Sequence, residues 1–335
     1  MVKKLFIRFL VLVLGLVVMN HVYRFFFYEK ALRQHSPEIL EVWKQQRKAD
    51  ILYFAESSNM NVRDTDIVKK SISELTDDLL SNFKIGAVNK PATHAGIYKE
   101  WIKNMRAPFP KAVIVTMNLR SFGADWRHSE LESVLQAGVV MLKPYPVLVN
   151  RFLLALNAFD NKTPEAREQE MLREWEEVKF DFPFKVPHAT VRLWDNAMAN
   201  GSFLLPDGAW DMEKITLACH YVKSYAFQIR PDNPRLKDFD DIVAFCQQHK
   251  IKLIFNLLAE NTAYAQQYVG KELVHIMRYN RNLLVRRYGK KRCVTVVDNL
   301  ELLEGLDFSD QNWTTEHYGY NGRLQIAKQL AKALH

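Results

Sequence analysis

Short uninterrupted apolar runs, each bounded by polar or turn-forming residues, recur along the chain: Ile51-Leu52-Tyr53-Phe54, Ile85-Gly86-Ala87-Val88, Ala112-Val113-Ile114-Val115, Leu253-Ile254-Phe255 and Val294-Thr295-Val296-Val297. Runs of this length without polar alternation suit strands that are covered on both faces, as in parallel sheets. Between them apolar residues return at helical spacing, over 66–80, 96–105, 236–248 and 263–288, and once more over 323–334. Strands alternating with helices predict an α/β, doubly wound parallel sheet of about five strands, joined by right-handed crossovers.

Two stretches fall outside that rhythm. The third and fourth runs are too far apart for a single crossover, so a large, mostly helical insertion is expected over about 121–230. Within it, residues 147–159 are nearly all apolar behind Pro144 and Pro146, which reads either as a buried helix or as a lid or a surface that docks on a membrane partner. The second stretch is the N-terminus. Residues 9–19 are all apolar or Gly, and 5–23 are broken only by Arg8, Asn20 and His21. Those residues reach roughly 30 Å as a helix, about the thickness of a bilayer's hydrocarbon core. Lys3, Lys4 and Arg8 precede the run, which places the N-terminus in the cytoplasm and the body outside, periplasmic in a Gram-negative cell. The run is followed by Asn20-His21-Val22-Tyr23-Arg24-Phe25-Phe26-Phe27, without the small residues a signal peptidase needs, so an uncleaved single-pass anchor (1–30) ahead of one body (31–335) is expected.

Composition narrows the classes of partner. The net charge of +8 arises from 46 basic and 38 acidic residues mixed along most of the 335, which argues against nucleic acid. Residues 278–292 are the exception, with Arg278, Arg281, Arg286, Arg287, Lys290, Lys291 and Arg292 and no acid. They read as a solvated helix face or as a contact with an anionic surface. Cys219, Cys246 and Cys293 lie far apart, with no CxxC pair; Cys246 and Cys293 sit among apolar residues and read as small buried hydrophobes. Histidines are scattered singly, so no metal cluster is expected. Neither a Gly-rich dinucleotide loop nor a phosphate-cradling Gly-Lys-Ser/Thr motif occurs, and no cofactor is implied.

Ligands of open α/β sheets bind beyond the carboxyl ends of the strands, which is where polar residues collect here. The first run leads into Ala55-Glu56-Ser57-Ser58-Asn59, the third into Thr116-Met117-Asn118, and the fifth is followed by a loop holding Glu316-His317. A serine hydroxyl needs a base to take its proton and donors to receive charge on the attacked carbonyl oxygen. Ser57, His317 and Asn118, with the Ser57 N–H, supply those three parts.

In order and local context these blocks resemble the SGNH (GDSL-like) hydrolase superfamily over about residues 50–334. Phe54-Ala55-Glu56-Ser57 is similar to its Gly-Asp-Ser block, Thr116-Met117-Asn118 to its Gly-x-Asn block, and His317-Tyr318-Gly319-Tyr320-Asn321-Gly322 to its terminal block. The resemblance implies a Ser57 nucleophile, a His317 base and an Asn118 oxyanion donor, with Ala92 or Gly96 as a second backbone donor from the segment after the second run. The acid usually placed three residues before the histidine is Thr314 here, which leaves Asp310, Glu316 or no acid at all, with Asp310 preferred. His94 reads as a loop histidine near the pocket or as a catalytic residue.

The whole arrangement is similar to the membrane-anchored SGNH proteins of teichoic acid D-alanylation and those that accompany multispanning membrane O-acyltransferases. What that likeness implies is ester hydrolysis or O-acyl transfer on an acylated cell-envelope polysaccharide or related polymer, through a Ser57 acyl-enzyme, with such an O-acyltransferase as partner. The alternative is an inactive envelope protein of the same fold that binds polymer or partner.

Overall fold

The computed structural model describes residues 2–60, 62–159, 162–201, 203–314 and 316–335. Three helices come first, α1 (Val2–Phe26), α2 (Tyr28–His35) and α3 (Pro37–Gln46), separated only by Phe27 and Ser36. Then follow β1 (Ile51–Ala55), the one-turn α4 (Ser57–Met60), α5 (Ile72–Asp78), β2 (Ile85–Asn89), α6 (Ala95–Lys103) and β3 (Ala112–Met117). Helices α7 (Ala124–Arg127), α8 (Leu131–Leu142), α9 (Val147–Ala155), α10 (Pro164–Glu177), α11 (Val191–Ala199), α12 (Met212–Tyr225) and α13 (Pro234–Gln248) fill the interval before β4 (Lys252–Leu257). The chain closes with α14 (Thr262–Tyr268), α15 (Lys271–Tyr288), β5 (Val294–Asp298) and α16 (Tyr320–Leu334).

All strand pairings are parallel, in the order β2-β1-β3-β4-β5. This is a doubly wound, flavodoxin-like sheet, and its two layers can be read residue by residue. Along β1, Leu52 and Phe54 enter one core while Ile51, Tyr53 and Ala55 enter the other; Val113 and Val115 oppose Ala112 and Ile114 on β3 in the same way. Each fully buried large side chain contributes roughly 1.5–3 kcal/mol, which is why these runs carry no polar alternation. The order reverses direction between β1 and β3, so the crevice beyond their carboxyl ends is the natural place for a ligand.

Several elements depart from the sequence expectations. The helix expected over 66–80 begins at Ile72, because Ser71 and Glu74 form a capping box there. Asp66, meanwhile, is held in a loop by the buried Arg323 guanidinium at 2.8 Å. The helix expected over 263–288 is interrupted at Gly270, whose φ of 127° lies where only glycine is unstrained. Cys246 is buried as expected, but Cys293 is exposed, with a φ of 62° in the turn that leads into β5. The basic stretch 278–292 is largely a solvated helix face whose charges find acids: Arg278 pairs with Glu301, Arg281 with Asp298, and Arg287 with Asp240. Helix α9 is not a buried helix: Asn150 and Leu154 are its buried residues, and Val149 and Phe152 are exposed.

Among the described residues, α1 is the one helix long and apolar enough to cross a membrane. It has no buried residue; it packs against α2 and α9, and its partly covered residues, Asn20 and Tyr23, lie near its C-terminal end.

Candidate active site

Ser57 comes one residue after β1, beyond Glu56, and opens the one-turn helix α4, so its N–H belongs to the first turn, where an intrahelical acceptor is lacking. Its hydroxyl lies 3.1 Å from Nε2 of His317, and Nδ1 of the same ring lies 2.7 Å from Oδ2 of Asp310. Because a carboxylate only accepts, Nδ1 carries the proton and donates to Asp310, which leaves Nε2 to accept from the Ser57 hydroxyl. His317 is mostly buried, with its side chain 19% exposed, and Asp310 is at the rim at 39%.

The separation of seven residues between Asp310 and His317 follows from the shape of the loop. After β5 the chain doubles back on itself: Ser309 N–H donates to the His317 carbonyl, Gly319 N–H to the Asp307 carbonyl, and Phe308 pairs with Tyr318 in an antiparallel bridge. Positions 310 and 317 are thereby brought to the same end of a small hairpin. Thr314 instead turns inward, with Oγ1 3.3 Å from the Ser224 hydroxyl. Gly322, in the first turn of α16, accommodates this loop, since a Cβ there would stand 2.9 Å from the Asp307 carbonyl oxygen. Arg323, fully buried, donates to the Tyr318 carbonyl at 2.7 Å and fixes the residue next to His317.

Beneath this surface lies a buried charge cluster that the sequence does not announce. Arg120, in the 3-10 turn after β3, grips Glu316 with two nitrogens, at 2.5 and 2.8 Å. Two further buried carboxyls are near. Glu260, after β4, accepts from the Tyr225 hydroxyl, and Glu56 accepts from Asn118 Nδ2 at 2.8 Å. Burial, reinforced by the Glu316 charge, raises both carboxyls: Glu260 well above the usual range and Glu56 to about 8.

The Glu56 shift sets a pH dependence of stability. An unfolded chain releases this proton near pH 4.3, whereas the folded chain holds it to about 8, so its contribution is complete below the unfolded value and is lost as pH rises between the two. We expect thermal stability to fall from pH 5 toward pH 8, at up to about 1.4 kcal/mol per pH unit for this one group. Glu56→Gln should flatten that decline. An unchanged slope in Glu56→Gln, by calorimetry across that range, would show that Glu56 is ionised in the folded protein.

The remaining residues singled out from the sequence fall as follows. Asn118 follows β3 beside the Ser57 segment; its Oδ1 caps the following turn through the Arg120 N–H, and one of its two amide hydrogens goes to Glu56. Ala92 lies in the loop after β2, next to the end of β1, with Ala55 paired to Asn89, and adopts a left-handed φ of 50°. Its N–H has no acceptor among the described residues, whereas Gly96 N–H already donates to Nδ1 of His94. His94 is buried, caps α6 through the Gly96 N–H and bonds Glu132 at 2.9 Å, so both its ring nitrogens have partners other than Ser57 and Asp310. Glu316, weighed as a partner for the histidine, belongs to Arg120.

The class defined by the fold is a doubly wound α/β protein with a serine, a histidine and an aspartate in hydrogen-bond sequence at the carboxyl edge of its sheet. No family model matches the sequence, and no curated protein matches it. Among solved structures, the chain is similar to a member of the lipolytic protein G-D-S-L family from Veillonella parvula, with 9% identity over 84% of this chain and 96% of that one, and a TM-score of 0.37. A similarity at that level carries no argument about activity.

Proposed function

We propose that the protein is a serine-dependent ester hydrolase or O-acyltransferase acting on an acylated cell-envelope polysaccharide or related polymer. The observation that carries the reading is the hydrogen-bonded sequence Ser57–His317–Asp310 at the edge of the sheet. In this reading His317 Nε2 takes the hydroxyl proton as Ser57 Oγ attacks the acyl carbonyl. The imidazolium formed is stabilised by Asp310 and returns the proton to the departing alcohol oxygen. Water or a sugar hydroxyl then attacks the Ser57 ester by the same route in reverse, releasing acid or a new ester. The N–H groups of Ser57 and Ala92 and the second amide hydrogen of Asn118 are the donors for the oxyanion.

The polymer and the envelope location are supported by the likeness to anchored SGNH proteins and by α1, with Lys3, Lys4 and Arg8 at its inner end. A multispanning O-acyltransferase is the partner this likeness brings with it. One experiment tests the nucleophile and the orientation together. A membrane-impermeant fluorophosphonate applied to spheroplasts carrying the full chain is expected to label wild type and Ser58→Ala but not Ser57→Ala. Labelling that persists in Ser57→Ala overturns the nucleophile. Ser57-dependent labelling that appears only after lysis overturns the outward orientation and leaves the chemistry standing.

A further inference from the structure

The N-terminus of α9 is capped by another helix. Pro146 occupies its N-cap position and offers no side-chain acceptor, yet the Leu148 N–H, one of the donors that a helix start leaves over, is met by Asn20 Oδ1 of α1 at 3.0 Å. Asn20 interrupts an otherwise apolar helix, and this bond gives the interruption a purpose. It fastens α9 to the anchor at a defined height.

That height can be estimated. With a hydrocarbon core of about 30 Å covered by residues 5–23, Asn20 stands three residues, roughly 5 Å, inside its outer boundary. The N-terminus of α9 is thus held at the boundary between acyl chains and headgroups. Its outward face is apolar: Val149, Phe152 and the C-cap Leu156 are 42%, 53% and 75% exposed, and their spacing of three and four residues places them on one side of the helix, while Tyr145, just before its N-cap, is 51% exposed. Phe25, Phe26 and Phe27, at the end of the anchor, are 86%, 70% and 54% exposed. Arg24 and Arg151, both exposed, stand beside it and can reach phosphate groups. Helices that lie in the interface bury their apolar face about 5–10 Å deep, which matches the level that Asn20 sets.

We infer that α9 is a second membrane contact: an interfacial helix that inserts Val149, Phe152 and Leu156 into the outer boundary of the phospholipid bilayer, seated there by the Asn20 cap. The inference rests on α1 spanning that bilayer. The occupant of the face is lipid, because the Asn20 bond seats the start of α9 against the very helix that spans the bilayer.

The test uses the full chain in phosphatidylcholine and phosphatidylglycerol vesicles, with an environment-sensitive fluorophore on single cysteines at Phe152, Leu156, Leu12 or Ile67. Cys219→Ala and Cys293→Ala supply the background. Ile67, 99% exposed, reports water, and Leu12 reports the anchor. Labels at 152 and 156 are expected to be quenched several-fold more by brominated lipid, and several-fold less by aqueous iodide, than the label at 67. Iodide access at 152 and 156 equal to that at 67, with Leu12 quenched by lipid, overturns the docking while leaving the anchor intact. No lipid quenching at Leu12 overturns the anchor reading and the inference together. Shielding of 152 and 156 from both quenchers, with cross-linking into dimers, assigns the face to a second copy and overturns lipid as its occupant.

Discussion

Ser57→Ala is expected to lower the turnover of a small acyl ester by about 10⁴- to 10⁶-fold, with His317→Ala matching it and the double substitution no worse than either. The equality follows from geometry. The 3.1 Å contact from Ser57 Oγ to Nε2 makes the two side chains a single proton-transfer unit, so removing either leaves the other without a task. Asp310→Asn keeps the shape but presents an amide to Nδ1, which disfavours the required tautomer; a smaller loss, about 10³- to 10⁴-fold, is expected. Additive losses in the double variant would show that serine and histidine act independently and would remove the basis for an acyl-enzyme.

The largest loss of stability is expected at Arg120→Met. The guanidinium is the partner of Glu316, and Glu56 and Glu260 are the other carboxyls of the same interior. Removing one member of a buried ion pair costs about 3–5 kcal/mol, since a charge is left without compensation. Adding Glu316→Leu to Arg120→Met should return a large part of that loss, because the stranded charge leaves with it. Urea denaturation of the two variants and wild type measures this. A double variant less stable than Arg120→Met would mean that Glu316 is held by other groups. Because Glu316 adjoins His317, the single variant is also expected to lose activity under conditions where it remains folded.

How much of this was legible beforehand differs by feature, for physical reasons. Strands enclosed on both faces are written as plain apolar runs, and β1, β3 and β4 fall where those runs lie. The strand-end rule then directed attention to Ser57, Asn118 and the loop of His317. Asp310 could be preferred only weakly, because its approach to the ring depends on backbone pairing between Ser309 and His317 that no spacing rule anticipates. The grip of Arg120 on Glu316 joins residues 196 apart in sequence, so neither announces the other. Helix ends went wrong where one residue decides them, as Gly270 does between α14 and α15. Cys293 was misplaced because apolar neighbours in sequence say little about a residue held in a turn.

The near absence of connecting residues between α1, α2 and α3 bears on what Ser57 can reach. A catalytic body on a flexible leash of n residues samples a radius of roughly 5–6 Å times the square root of n. Here Phe27 and Ser36 are all that separate three consecutive helices, and the Asn20 bond removes the swing that remains. With α1 in a bilayer, Ser57 patrols a plane rather than a volume: it travels sideways with the lipids at one altitude, and the chemistry proposed for it would begin only for acyl groups presented at that altitude.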